Sequence, residues 1–114
     1  MIPKHSKRNW NLVNMTSLQG YIKCDYKTLV EVFGEPDPHA DGYKVDREWV
    51  LKFGDGTVAT VYNWKNGKNY LGPQQGLEPE EIKEWHVGGK SKMAVTLVEM
   101  SIDAKELLLL KFKN

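Results

Sequence analysis

A β-hairpin pattern in the middle of the chain constrains the fold more than any other stretch of the sequence. Large apolar side chains alternate with others over residues 49–53, a Gly-Asp-Gly turn follows, and residues 57–65 alternate again. Two alternating segments joined by a short turn that contains glycine are typical of paired antiparallel strands. The sequence therefore predicts a hairpin and, with it, an antiparallel sheet.

The two faces of the return strand carry different side chains. Ala59 and Val61 share one face, whereas Tyr62 and Trp64 share the other, because successive residues of a strand point to opposite sides. Small side chains suit close packing against helices, so we expect the Ala59 face to point into the core. Tyr62 and Trp64 would then point towards solvent or a partner, and Trp49 of the first strand is expected in the core.

Further elements are predicted on both sides of the hairpin. They are a strand over residues 18–23, a helix over 26–33 that begins after Asp25 and ends at Gly34, a short strand over 84–87, and a second helix that begins near Lys90 or Ser91. After Ser101 the chain either continues this helix or begins another. This order predicts an α+β fold: a small single-domain, antiparallel-rich sheet of about four strands with two or three helices packed on it.

Length and composition fit one globular domain. The 114 residues are 40% hydrophobic, which suffices for a single modest core. We expect a flexible arm over residues 1–16 and one domain over 17–114 that ends in a helical tail. A formal net charge of +1 argues against binding of long nucleic acid, and no apolar run approaches the roughly 20 residues of a membrane span. The single cysteine, Cys24, suits a reducing compartment, so a cytoplasmic protein is expected.

The stretch WHVGGKS at residues 85–91 predicts a strand that runs through two glycines into a helix. Gly88 and Gly89 would permit a sharp turn and close approach of a ligand to the backbone. Lys90 and Ser91 would stand at a helix start, where free N–H groups and the helix dipole favour anions. The alternatives are a simple phosphate site and a tight turn that binds no ligand.

Aromatic residues next to cations form a second candidate site. Tyr62, Trp64 and Lys65 lie together at the end of the hairpin, in a chain with four tryptophans and five tyrosines. Aromatic faces stack on nucleobases for about 1–3 kcal/mol each. We expect Trp64 and Trp85 to contact the bases of a nucleotide, with His86 beside them. Core packing is the alternative for each ring.

No residue pattern predicts catalysis, a metal or a cofactor. The histidines at positions 5, 39 and 86 are scattered, and with one cysteine they form no zinc-binding spacing. His86 could pair with Cys24 or Ser91 as a nucleophile pair, but the sequence places no third group to orient it. We therefore expect no catalytic residues, no metal site and no cofactor.

Four stretches resemble a family of small proteins that is spread through bacteriophage genomes. They are residues 17–22 (SLQGYI), 33–36 (FGEP), 55–65 (DGTVATVYNWK) and 85–89 (WHVGG). Small phage proteins of this kind often counteract host defence. The resemblance and the two candidate sites together imply a protein similar to viral sponges, which sequester cyclic nucleotide signals such as those of CBASS defence.

Three hypotheses about function follow. The first is a non-enzymatic phage counter-defence protein in the host cell cytoplasm, which binds a cyclic di- or oligonucleotide and sequesters it. Its expected ligand-binding residues are Tyr62, Trp64, Lys65, Trp85, His86, Gly88, Gly89, Lys90 and Ser91. The alternatives are a phage inhibitor that binds a host defence protein, such as a CRISPR effector or nuclease, and a small nucleotide-processing enzyme.

The run from Leu107 to Leu110 would present apolar side chains on every side of a helix. A domain of this size can cover only part of them, so we expect a homodimer or a higher homo-oligomer, most simply through a twofold interface. That interface would also place two copies of Trp64 and Trp85 around one symmetric ligand. The alternative is a tail that folds back and completes the monomer's own core.

Overall fold

The computed structural model of the chain describes residues 4–6, 10–37 and 44–112. Its strands are β1 (Lys4–Ser6), β2 (Ser17–Lys23), β3 (Glu48–Lys52), β4 (Val58–Tyr62) and β5 (Glu84–Gly89). Its helices are α1 (Trp10–Val13), α2 (Tyr26–Phe33), α3 (Lys68–Leu71) and α4 (Met93–Phe112), and a 3-10 turn covers Pro79–Glu81. This composition of elements confirms the predicted α+β class.

The strands form one antiparallel sheet in the order β1-β3-β4-β5-β2. The predicted hairpin is β3–β4, in which Trp49 lies opposite Val61. At its turn Gly56 has a φ of 90°, a conformation that glycine adopts at little cost. Strands β2 to β5 account for the four that were predicted, and β1 adds a short fifth strand at the edge.

The main core lies between one face of this sheet and the helices α2 and α4. Trp49, Ala59 and Val61 are fully buried there, as the alternation of the hairpin predicted. Leu29 and Phe33 of α2 belong to the same cluster. The expected packing of α2 on the hairpin is therefore confirmed.

Within the described ranges, the opposite face of the sheet is covered over one part only. Val50 and Val58 point to this face, and both are buried, as is Val13 of α1. The short helix α1 contacts β4. The two long helices thus lie on one face, and α1 is an addition on the other, whose remaining part carries the site described below.

Helix α4 begins later than predicted and is continuous. Residues 90–92 form a turn, and the helix starts at Met93. It does not break at Ser101, whose Oγ donates a hydrogen bond of 2.9 Å to the carbonyl oxygen of Leu97. Leu107 to Leu110 are 49–68% exposed, so the tail does not fold back onto the monomer's core. Neither α4 nor any other helix in the described ranges is long and apolar enough to cross a membrane.

The segment predicted as a flexible arm lies partly outside the described residues. Its described parts are β1, which pairs with β3, and α1. Part of the segment therefore extends the sheet, while its flexibility stays a prediction.

Candidate functional site

A row of side chains crosses the open part of the sheet. Glu48, Tyr62, His86 and Tyr21 lie on four neighbouring strands, and each is the cross-strand partner of the next. The residues after Glu48 and after Tyr21, and those before Tyr62 and before His86, all point into the core. Because successive residues of a strand point to opposite sides, the four side chains of the row share the other face.

The rings of this row contact one another. Tyr62 stacks on His86 with centroids 5.4 Å apart, and Tyr21 meets His86 edge-on at 4.8 Å. Trp64, just beyond the end of β4, lies edge-on to Tyr62 at 6.2 Å. Tyr21 is 52% exposed and Trp64 39% exposed. We call these four rings the aromatic surface.

Two adjoining cavities open on the aromatic surface. The larger has a volume of about 380 Å³ and is lined by Leu18, Tyr21, Tyr62, Trp64 and His86. The smaller, of about 180 Å³, is lined by Thr16, Ser17, Leu18, Val45, Glu48, Thr60, Tyr62, Trp64 and Gly88. The larger cavity is mainly aromatic, whereas the smaller one adds hydroxyl groups and a carboxylate. The pair suits a ligand that has a planar ring with a polar edge.

A bulge in β2 brings Leu18 and Tyr21 to the same face. The register shifts between Leu18 and Gly20, so that Gln19 is an extra residue in this strand. Residues three apart point to opposite sides of a regular strand, and the extra residue reverses this. Gln19 Nε2 donates a hydrogen bond of 3.0 Å to the carbonyl oxygen of Gly89, which holds the bulge in place.

Gly88 leaves room for the smaller cavity. A Cβ at this position would lie 2.5 Å from Oγ1 of Thr60 and 3.5 Å from Cε1 of Tyr62. A larger side chain would therefore displace Thr60 and occupy the cavity. Gly88 therefore forms the floor of the smaller cavity. It is a residue of strand β5, whereas a turn was predicted at this position.

A buried hydrogen-bond network fixes the segment that carries Trp64. The side chain of Asn63 is fully buried, and its Oδ1 accepts from the N–H groups of Asp46 (2.8 Å) and Arg47 (3.0 Å). Its Nδ2 donates to Oδ1 of Asp46 (3.1 Å) and to Oδ1 of Asn66 (3.0 Å). Because Asn63 precedes Trp64, the network determines where the chain leaves β4 and where the indole ring lies.

Two lysines lie against Trp64. The Nζ atoms of Lys44 and Lys65 are 5.6 Å and 5.7 Å from the centroid of its ring, and Lys65 Nζ is also 5.6 Å from that of Tyr70. These distances fall within the range of cation–π interactions. The lysines place positive charge at one end of the aromatic surface, which favours an anionic ligand.

The surroundings of His86 disfavour its protonated form. Burial lowers its pKa below the ordinary value of 6.5, although the carboxylate of Glu84 opposes this shift. Its Nδ1 is buried and has no hydrogen-bond partner within the described part of the chain. A proton on Nδ1 would make it a buried N–H group without an acceptor, which is costly. The favoured tautomer therefore carries the proton on Nε2.

Relatives do not identify this surface. No protein-family model matches the sequence, and no curated protein matches it either. The resemblance to a bacteriophage family therefore stays a prediction, and any role of the aromatic surface has to be argued from its own geometry.

The structure brings together five of the predicted ligand residues. Tyr62, Trp64, His86 and Gly88 line the cavities, and Lys65 lies against Trp64. Their contact with a ligand stays a prediction.

The prediction that Trp85 stacks on a base is wrong. Its ring is fully buried, with its centroid 5.5 Å from that of Trp49, and its Nε1–H donates a 3.1 Å hydrogen bond to the carbonyl oxygen of Cys24. Trp85 and His86 are adjacent in β5 and therefore point to opposite faces. Trp85 is a core residue and has no face open to a ligand.

Gly89 also has a packing role instead of the predicted ligand contact. A Cβ at Gly89 would lie 2.5 Å from Cβ of Ala94, so its absence lets α4 approach the sheet closely. Lys90 and Ser91 are exposed in the turn that follows, and neither lines the two cavities. A phosphate contact by Lys90 or Ser91 stays a prediction.

Sequence reasoning missed several residues of the site. Glu48 could have been found, because the register of the hairpin places it opposite Tyr62. Leu18 and Tyr21 could not, since their position depends on the order of the strands and on the bulge.

Cys24 and His86 do not form a nucleophile pair. Cys24 packs against the core, where burial, with a smaller contribution from Glu106, raises the pKa of its thiol to about 11. His86 faces the other side of the sheet. Among the described residues no group of three or more His, Cys, Asp or Glu side chains could hold a metal ion; His39 lies outside the described residues, and of His5 only the backbone is described.

The predicted sharing of one ligand by two subunits stays a prediction. Helix α4 packs on the core face of the sheet, and the aromatic surface lies on the other.

Proposed function

We propose that this protein binds a small nucleotide on the aromatic surface and sequesters it without turning it over. The observation that carries the proposal is the convergence of four rings around one cavity. Stacking contributes about 1–3 kcal/mol for each base. The cations beside Trp64 favour the phosphate of such a ligand.

The biological setting is the second part of the proposal. In line with the resemblance to phage proteins, the protein acts in the host cell cytoplasm against a defence signal, with a cyclic di- or oligonucleotide as the ligand. A sequestering protein has to compete with the receptor for that signal. Nanomolar affinity, which corresponds to about −12 kcal/mol, would suffice.

A calorimetric titration of the purified protein tests the proposal. The ligands are mononucleotides and cyclic dinucleotides of adenine and guanine, each with ribose phosphate as a control that lacks a base. We expect saturable binding of at least one nucleotide and none of ribose phosphate. A folded protein that binds no member of the panel would overturn the proposal.

Sequestration without turnover needs a separate measurement. The raised pKa of Cys24 keeps its thiol protonated at neutral pH, and the imidazole of His86 is on the opposite face of the sheet. After prolonged incubation, chromatography should recover the bound nucleotide unchanged. More than one molecule of product for each molecule of protein would favour the enzymatic alternative instead.

The breadth of the exposed surface favours a second candidate function. Leu18, Tyr21 and Trp64 are exposed apolar side chains close together on an open sheet face, as expected for docking of another protein. This alternative is an inhibitor that binds a host defence protein. It predicts that no nucleotide binds while a host protein is retained specifically and released by the Trp64→Ala substitution.

A further inference from the structure

A buried hydroxyl group borders the smaller cavity without a partner. Thr60 is only 4% exposed, and its side chain lines this cavity. Within the described part of the chain its hydroxyl group makes no hydrogen bond. Two other hydroxyl groups of the lining are already engaged. Thr16 Oγ1 donates to the carbonyl oxygen of Val13 (2.6 Å), and Ser17 Oγ accepts from Nε2 of Gln19 (3.2 Å).

The hydroxyl group of Thr60 faces the space above Gly88. The two residues are cross-strand partners on β4 and β5, and a Cβ at Gly88 would lie 2.5 Å from Oγ1 of Thr60. Because glycine does not fill that space, a ligand group can approach Oγ1 there. The ring of Tyr62 borders the same space, since its Cε1 would lie 3.5 Å from that Cβ. A ligand that lies against Tyr62 therefore has access to the hydroxyl group.

The two cavities suit different parts of a nucleotide. The larger one is bordered by four rings, whereas the smaller one shares Tyr62 and Trp64 with it and otherwise adds mainly aliphatic and hydroxyl side chains. A planar base suits the larger cavity, and a non-planar sugar with hydroxyl groups suits the smaller one. The sequence neighbour of Lys44, Val45, lines the smaller cavity only. Since Lys44 and Lys65 lie against the Trp64 ring, base, sugar and phosphate would follow one another in the order in which a nucleotide joins them.

We propose that Thr60 forms a hydrogen bond with the ribose of the bound nucleotide, so that the protein prefers ribonucleotides to deoxyribonucleotides. A threonine hydroxyl both donates and accepts hydrogen bonds. The 2′-hydroxyl of ribose does the same, and it is the group by which proteins distinguish RNA from DNA. A deoxyribose in the cavity would leave the hydroxyl group of Thr60 buried without a partner, which is costly. The inference rests on the proposed nucleotide function, whose ligand class it specifies.

Calorimetric titration of the intact protein with AMP, dAMP, GMP and dGMP tests this preference. The two members of each pair differ only in the 2′-hydroxyl group. We expect each ribonucleotide to bind about 5- to 150-fold more tightly than its deoxy counterpart, which is the range for leaving a buried hydrogen-bonding group unsatisfied. These measurements use the unmodified protein, so they do not depend on whether a variant folds.

The variant Thr60→Val should bring the ratio of ribonucleotide to deoxyribonucleotide affinity to near one. Valine has nearly the shape of threonine, and the hydroxyl group that it lacks has no partner within the described ranges, so this variant is expected to fold. Thr60→Ser is the matched control, because it keeps the hydroxyl group and should therefore keep the preference.

Equal or tighter binding of the deoxyribonucleotides by the unmodified protein overturns the ribose contact and leaves the proposed function standing. An unchanged ratio in a folded Thr60→Val protein has the same consequence. Loss of the preference in Thr60→Ser as well as in Thr60→Val also overturns the contact, since the hydroxyl group would then not be its cause. Absence of binding by all four nucleotides and by the cyclic dinucleotides overturns both proposals.

Discussion

Tyr62 and His86 are cross-strand partners on β4 and β5, and their rings stack with centroids 5.4 Å apart on the face of the sheet opposite the core. This pair joins two of the four strands that line the candidate site. Trp64 extends the pair at one end and Tyr21 at the other. The aromatic surface is thus a continuous feature of the sheet, and individual positions on it can be tested.

Replacement of Trp64 by alanine should weaken nucleotide binding. Loss of one stacking ring corresponds to about 1–3 kcal/mol, or roughly 5- to 150-fold in affinity. Calorimetry measures the change. The matched control is Leu71→Ala, since Leu71 is a similarly exposed apolar residue that lines neither cavity. Equal affinities of the two variants would remove Trp64 from the site.

The stability of the protein should fall at acid pH because of His86. Its pKa is lower in the folded state than its ordinary value of 6.5, so the unfolded chain takes up the proton first as the pH falls. The loss of stability begins below pH 6.5 and ends when His86 is protonated in the folded protein.

Urea unfolding at about pH 7.5 and about pH 5.5 measures this loss, since the two values bracket the titration of an ordinary histidine. In His86→Gln the difference between the two pH values should be smaller than in the parent protein. His5 and His39 are present in both proteins, so they do not contribute to the comparison. An identical difference in both would contradict the lowered pKa.

Substitution of Asn63 by alanine should destabilise the fold by at least about 2 kcal/mol. The buried N–H group of Asp46 and the partly buried one of Arg47 would lose their acceptor, and the loss at a buried group alone costs about 1–3 kcal/mol. Asn66→Ala is the control, because it removes only one partner of Asn63. Chemical unfolding of the two variants should rank Asn63→Ala clearly below Asn66→Ala, and similar stabilities would count against the network.

The exposed leucines of α4 lead to a prediction about assembly. Four neighbouring apolar side chains should be covered by a second copy of the chain. Light scattering of the intact protein should give at least twice the chain mass of 13.1 kDa, whereas a chain that ends at Asp103 should be monomeric. A monomeric mass for the intact protein at micromolar concentration would refute this assembly.

Much of the core, and two residues of the site, followed from local patterns. The alternation of the hairpin separated Ala59 and Val61, which are buried, from Tyr62 and Trp64, and it placed Trp49 in the core. These assignments hold because side-chain direction in a strand has a period of two, whatever the strand pairs with. The stripe of α2 was equally readable, since its spacing of three and four residues forms one face.

The sequence by itself therefore determined the fold class, the hairpin and the direction of its side chains. The tertiary structure alone decided that β5 lies between β4 and β2, that Gln19 bulges, and that Tyr21 and His86 consequently meet. It also decided that Trp85 and Gly89 face the core. The motif WHVGG is too short and too mixed in composition to predict which face of its strand points inward. The physical reason is that strand order and register depend on contacts between residues far apart in the chain, which no local pattern encodes.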